Sequence, residues 1–189
     1  MATIRPGNKT ILLVVDVQVD VMRGAWEAAR VIGNVARAVE RARVQGAPVI
    51  WVQHEDADMS RGSAGWQWVP ELAPKEGDTR VYKRYESAFE DTSLEQELAR
   101  LGATRIALAG ASSNWCIRAT AYATLDRGYD LVLVKDAHTT KPIDLGGARV
   151  VAAEGIVDDL NIVMTWIQYP GRKASTTAVA ELEFEFAEG

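Results

Sequence analysis

The chain has 189 residues, 48% hydrophobic and 25% charged, with a formal net charge of −5 and a pI near 5.1. That length suits one domain with a sizeable core, and the acidic balance gives no electrostatic reason to seek nucleic acid or an anionic membrane. One cysteine, Cys116, excludes an internal disulfide framework. With an N-terminus that lacks the apolar run of a signal peptide, and no stretch near the roughly 18 apolar residues of a membrane span, a cytoplasmic protein is expected.

"TILLVVDV" (10–17) is short, β-branched and unalternated, as suits a strand buried on both faces. From Ala25, Ala, Val and Ile recur at helical spacing until Gly46 and Pro48 stop the pattern. "PVIWVQ" (48–53) predicts a second strand, 54–80 a long loop, and "TRVYK" (79–83) a short third strand. "TSLEQELARLGATRIALAG" predicts a helix capped by Thr92 or Ser93 and ending at Gly102, then a strand over 105–110. "NWCIRATAYATLDRGYD" predicts a helix ending at Gly128, and "LVLVKDA" (131–137) a fifth strand. A helix around 146–159 and a sixth strand at "IVMTW" (162–166) complete the expected core. In the tail, "ELEFEF" alternates acid with apolar, the pattern of a half-buried strand.

Strands alternating with helices imply βαβ units and a mostly parallel sheet covered on both faces. Ligands bind such sheets at the carboxyl ends of the strands, near the point where strand order reverses. The polar residues expected there are Asp16 and Gln18, Gln53 and His54, Lys83, the "GASSNWC" turn, Asp136 and His138. Cys116 is expected in the first turn of the helix after the fourth strand. Unpaired N–H groups and partial positive charge at that helix end would favour a thiolate. With Asp16 and Lys83 nearby, the parts would suit acyl transfer through a thioester. A thiol that merely packs helix against sheet fits the same residues equally well.

"LLVVDVQVD", followed by "YKRYESAFEDTSLEQELARLGATRIALAGASSNWCIRATAYATLDRGYDLVLVKDAH", resembles the isochorismatase-like cysteine hydrolases over most of 10–165. Relatives include nicotinamidases, N-carbamoylsarcosine amidohydrolase, and ureidoacrylate and biuret amidohydrolases. The resemblance implies an α/β fold with three layers and a six-stranded, mostly parallel sheet. It also implies a catalytic trio of Asp16, Lys83 and Cys116. A non-proline cis peptide is implied at Ala111–Ser112, with an oxyanion hole from the backbone N–H groups of Ser112 and Cys116. The implied reaction is thiol-dependent hydrolysis of a C–N bond in a small amide, ureide or carbamoyl compound. Vinyl-ether cleavage and a catalytically silent, small-molecule-binding member are the alternatives.

The metal-holding Asp-x-His element of the nicotinamidases is not matched: His54 is present, but position 52 is Val. No metal and no other cofactor is therefore expected. Gln18, His54, Trp66, Trp68 and Trp115 are candidate substrate-binding residues, with Trp26, Phe89, Glu86 and Arg118 behind them. Trp66 and Trp68 lie in the long loop and suit either a lid or a subunit contact. The expected organisation is a hydrolase domain over 1–170 and a tail over 171–189, an edge strand or intersubunit arm. The expected partners are a small-molecule substrate and further copies of the chain, as a dimer or tetramer.

Overall fold

The computed structural model describes residues 4–184. β1 (Lys9–Val15) leads into a short α1 (Val19–Met22) and then α2 (Ala28–Val44). Next come β2 (Val49–His54), β3 (Thr79–Lys83), α3 (Leu94–Leu101) and β4 (Ala103–Ala111). A π-helical turn (Ser113–Ile117) runs into α4 (Arg118–Asp126), followed by β5 (Asp130–Thr139). The two-residue strands β6 (Ile143–Asp144) and β7 (Val150–Val151) precede α5 (Ala153–Trp166), β8 (Ala174–Thr177) and a short 3-10 turn (Val179–Glu181).

Six strands form one sheet in the order β3-β2-β1-β4-β5-β8, and every pairing in it is parallel. β6 and β7 form a separate antiparallel pair. Along β1 the side chains alternate between two apolar layers. Ile11, Leu13 and Val15 join Leu98 of α3, Ile117, Ala121 and Leu125 around α4, and Leu160 and Met164 of α5. Leu12 and Val14 face Val31, Val35 and Ala38 of α2, together with Leu182 and Phe184. Burial on both faces is why β1 is continuously apolar rather than alternating.

The expected sixth strand is corrected. Residues 162–166 continue α5, and the sixth strand is Ala174–Thr177. Ile156, Val157, Leu160 and Met164 are the buried positions of α5, and their spacing is helical. β8 escapes the apolar criterion because it is an edge strand of small and hydroxylated residues, none fully buried. The helix expected around 146–159 begins later, at Ala153. Within "ELEFEF", Glu181 ends the 3-10 turn, and residues 182–184 form no strand but run along α2. Arg41 Nε donates to the Leu182 carbonyl at 2.9 Å, and the Phe184 N–H donates to Gln45 Oε1 at 2.9 Å. Glu185 and Phe186 of that motif lie outside the described residues. Among the described residues no helix is long and apolar enough to cross a membrane.

The chain lays down β1, β2 and β3 in one direction, then returns to place β4 on the other flank of β1. The carboxyl ends of β1 and β4 are thus the point where strand order reverses. The strands run very close there. A Cβ on Gly110, which has φ +129°, would stand 1.9 Å from the Val15 carbonyl oxygen. Only glycine fits.

Candidate active site

Asp16 follows β1 directly and is 1% exposed, with its backbone in the left-handed region at φ 54°. Its N–H donates to the Val52 carbonyl at 2.9 Å, which holds that turn against β2. Lys83 closes β3 two strands away, and its side chain is fully buried. Its four-carbon stem spans the intervening β2 and places Nζ 2.7 Å from Asp16 Oδ2. The same nitrogen lies 3.2 Å from Cys116 Sγ, 3.1 Å from the Tyr85 carbonyl oxygen and 3.3 Å from His54 Nδ1. The three residues separated in sequence therefore meet around one ammonium group.

Cys116 sits in the π-helical turn ahead of α4, not in the first turn of that α-helix as expected. The Ser112 carbonyl accepts from the N–H groups of Trp115 and Ile117 at 3.0 and 3.1 Å, which closes the turn. The Ala111–Ser112 peptide is cis.

The electrostatics also depart from the expected thiolate. Burial pushes the Cys116 thiol up to about 12, the Asp16 charge adds to the rise, and Lys83 only partly offsets it. Burial alone would lower the Lys83 pKa, but Asp16 and Cys116 together hold it above the ordinary lysine value. The resting arrangement is a protonated thiol beside an Asp–Lys ion pair. Apart from the Lys83 ion pair, no hydrogen bond of ordinary geometry reaches the Asp16 carboxylate, and the Cys116 thiol is the acidic group that interacts with it. A carboxylate with an unspent lone pair beside a thiol is equipped to accept its proton.

A cavity of about 650 Å³ opens above this trio. Asp16, Ser112 and Cys116 line it, with His54 and Trp115 among the candidate binding residues. Gln18, Trp66 and Trp68 are placed elsewhere. Gln18 is fully buried and spends its amide on backbone, donating to the carbonyls of His54 and Trp66 and accepting the His54 N–H. Trp66 stacks on Tyr82 at 5.9 Å, and Trp68 packs edge-on against buried Trp51 at 5.2 Å. The tryptophan pair thus folds back onto its own chain. Phe89 stacks on Tyr129 in the core, Arg118 pairs with Asp159, and Arg30 lies over Trp26. Glu86 does line the cavity.

Sequence reasoning missed the wall formed by residues 140–144, and Asp20, Asp56 and Asp58 on the same lining. The signal was available for the first group: "TKPID" directly follows the carboxyl end of β5. Behind the site, His138 is 1% exposed and packs beneath the cysteine turn. Asn161 Nδ2 donates to the Lys135 carbonyl, so Asn161 Oδ1 accepts from His138 Nε2 at 3.0 Å. Nδ1 is then the acceptor for the Ser113 hydroxyl at 2.8 Å. Among the described residues no group of three or more His, Cys, Asp or Glu side chains could hold a metal ion.

The family model for the isochorismatase domain matches residues 10–167. The chain belongs to the isochorismatase family. It is 35% identical over 171 residues to a streptothricin hydrolase from Streptomyces noursei, covering 87% of this chain but 64% of that protein. Against a second streptothricin hydrolase from that organism it is 36% identical over 138 residues, 70% of this chain and 50% of that protein. The chain thus spans less than two thirds of the length of these relatives. Among solved structures, an isochorismatase from Pseudomonas putida KT2440 superposes with a TM-score of 0.82 at 27% identity, covering 92% of this chain and 90% of that one. N-carbamoylsarcosine amidase from Thermoplasma acidophilum gives 0.74 at 25% identity, covering 93% and 99%.

Proposed function

We propose that this member of the isochorismatase family is a thiol-dependent hydrolase cleaving a C–N bond in a small amide, ureide or carbamoyl compound. The observation that carries this reading is Lys83 Nζ, 2.7 Å from Asp16 Oδ2 and 3.2 Å from Cys116 Sγ, where Asp16 and Cys116 line a cavity at the sheet's switch point. The named activities of its relatives, streptothricin hydrolase and N-carbamoylsarcosine amidase, support it.

The chemistry follows from the resting protonation. Because the thiol is held up to about 12, a standing thiolate is scarce, and Asp16 takes the proton as sulfur attacks the carbonyl carbon. The C–S bond forms while the carbonyl electron pair moves onto oxygen, where the N–H groups of Ser112 and Cys116 receive the negative charge. Collapse breaks the C–N bond, and Asp16 gives its proton to the departing nitrogen. Water then attacks the thioester and yields its proton to Asp16, and the departing sulfur recovers that proton. Lys83 stays charged throughout, 2.7 Å from the Asp16 carboxylate.

The test is ammonia or amine release from a panel of small amides, ureides and carbamoyl compounds, run beside Cys116→Ala. Release by the wild type that is lost in the variant supports the reading. Equal release by both overturns it.

A further inference from the structure

The cavity wall is strongly one-sided in charge. Beyond Asp16, five carboxylates line it (Asp20, Asp56, Asp58, Glu86 and Asp144), against Lys141 and His54. Two of the five are compensated by the protein. Asp20 pairs with Arg23 at 2.7 Å. Asp56 accepts from the N–H groups of Asp58 and Met59 and faces His54 Nε2 at 3.2 Å. The other three have no ion-pair partner among the described residues. Asp58 and Glu86 are exposed, and Asp144 accepts only the Gly146 N–H. These acids are walls of a cavity whose floor holds Cys116 and the buried, unpartnered Asp16 Oδ1. Trp115 lines the same cavity and is 59% exposed, leaving an indole face available to a cation.

We infer that the substrate carries a positive charge, as an ammonium or guanidinium group on the amide or carbamoyl compound, received by Asp58, Glu86 and Asp144 at the mouth of the cavity. The inference rests on the proposed thiol hydrolase only for the word substrate. A cleft lined by one sign of charge concentrates ions of the other sign whatever reaction follows. A carboxylate-bearing amide would meet three uncompensated negative charges on entry. A cationic one finds partners at the rim while its carbonyl reaches the sulfur.

Cys116 is the only cysteine, so its own reactivity reports the field in the cavity without any substrate. The probes are three methanethiosulfonates: 2-(trimethylammonio)ethyl, methyl and 2-sulfonatoethyl. Each forms a mixed disulfide with Cys116 and releases methanesulfinate, with the thiol proton passing to solvent. Rates are read by intact mass and normalised to 2-mercaptoethanol. At low salt the cationic reagent should outrun the anionic one by about tenfold or more, and the ratio should fall towards the reference at high salt. In Asp58→Asn/Glu86→Gln/Asp144→Asn the ratio should drop at least about fivefold. In Glu40→Gln/Glu90→Gln/Glu154→Gln, which makes the same change in net charge outside the cavity, it should hold. A wild-type ratio equal to that of the free thiol, or equal losses in both triple variants, overturns the inference. Failure of the amide panel with selectivity intact would instead count against the hydrolase reading.

Discussion

Two buried polar clusters lie at the carboxyl end of the same sheet, and they are built on opposite principles. Around His138 every ring nitrogen has a partner. Asn161 fixes one, Ser113 occupies the other, and the Asn161 amide is itself tied to the Lys135 carbonyl. Around Lys83 the opposite holds: a carboxylate keeps a free oxygen, a thiol keeps its proton, and one ammonium serves four neighbours. A fully satisfied buried network rigidifies what it touches, whereas an incompletely satisfied one holds groups in a costly state. The first cluster fixes the cysteine turn through Ser113. The second holds a thiol, a carboxylate and an ammonium together within that frame.

The contrast can be broken from either side. The largest effect is expected for Cys116→Ala, which should lower turnover at least about a thousandfold while the far-ultraviolet circular dichroism is unchanged. Lys83→Met removes one partner of a buried pair and strands the Asp16 charge. Denaturant titration should show a loss of about 3–5 kcal/mol at neutral pH.

The His138 cluster is testable by pH. Burial pulls its imidazole from 6.5 down to about 4, outweighing the Asn161 bond and the Asp136 charge that oppose it. Between these values the unfolded chain binds the proton and the folded one does not, so stability rises with pH. The contribution is fully present above about pH 6.5 and is lost as pH falls through about 4, for a total of about 3 kcal/mol. Urea midpoints compared at pH 4.5 and 7 should show it, and His138→Gln should flatten the difference. The smallest effect is expected for Ser113→Ala. It leaves Nδ1 unpaired at a cost of about 1–3 kcal/mol and should slow turnover by less than tenfold.

Much of this was legible in the sequence because the informative residues sit where topology exposes them. Buried parallel strands are continuous apolar runs, so 10–17, 48–53, 105–110 and 131–137 were readable. Their first polar residues gave Asp16 and the cysteine turn, and Lys83 closed the short third strand. Two kinds of information were not local. β8 is an edge strand whose "ASTT" carries no apolar signal, while "IVMTW" has strand-like composition but completes the buried stripe of α5. The protonation of Cys116 was not legible because desolvation and the Asp16 charge outweigh Lys83, and only the assembled geometry reveals that balance. The roles of Gln18, Trp66 and Trp68 were hidden for the same reason, since their partners are backbone carbonyls and rings distant in sequence.

The central claim is that sulfur, not water, makes the first attack. The most direct measurement is intact mass after acid quenching during turnover of the best compound in the amide panel, with peptide mapping of any adduct. The account expects an added acyl group on the peptide containing Cys116, formed and consumed on the timescale of turnover and absent from Cys116→Ala. Steady turnover by Cys116→Ala, with no adduct at any quench time in the wild type, would contradict it.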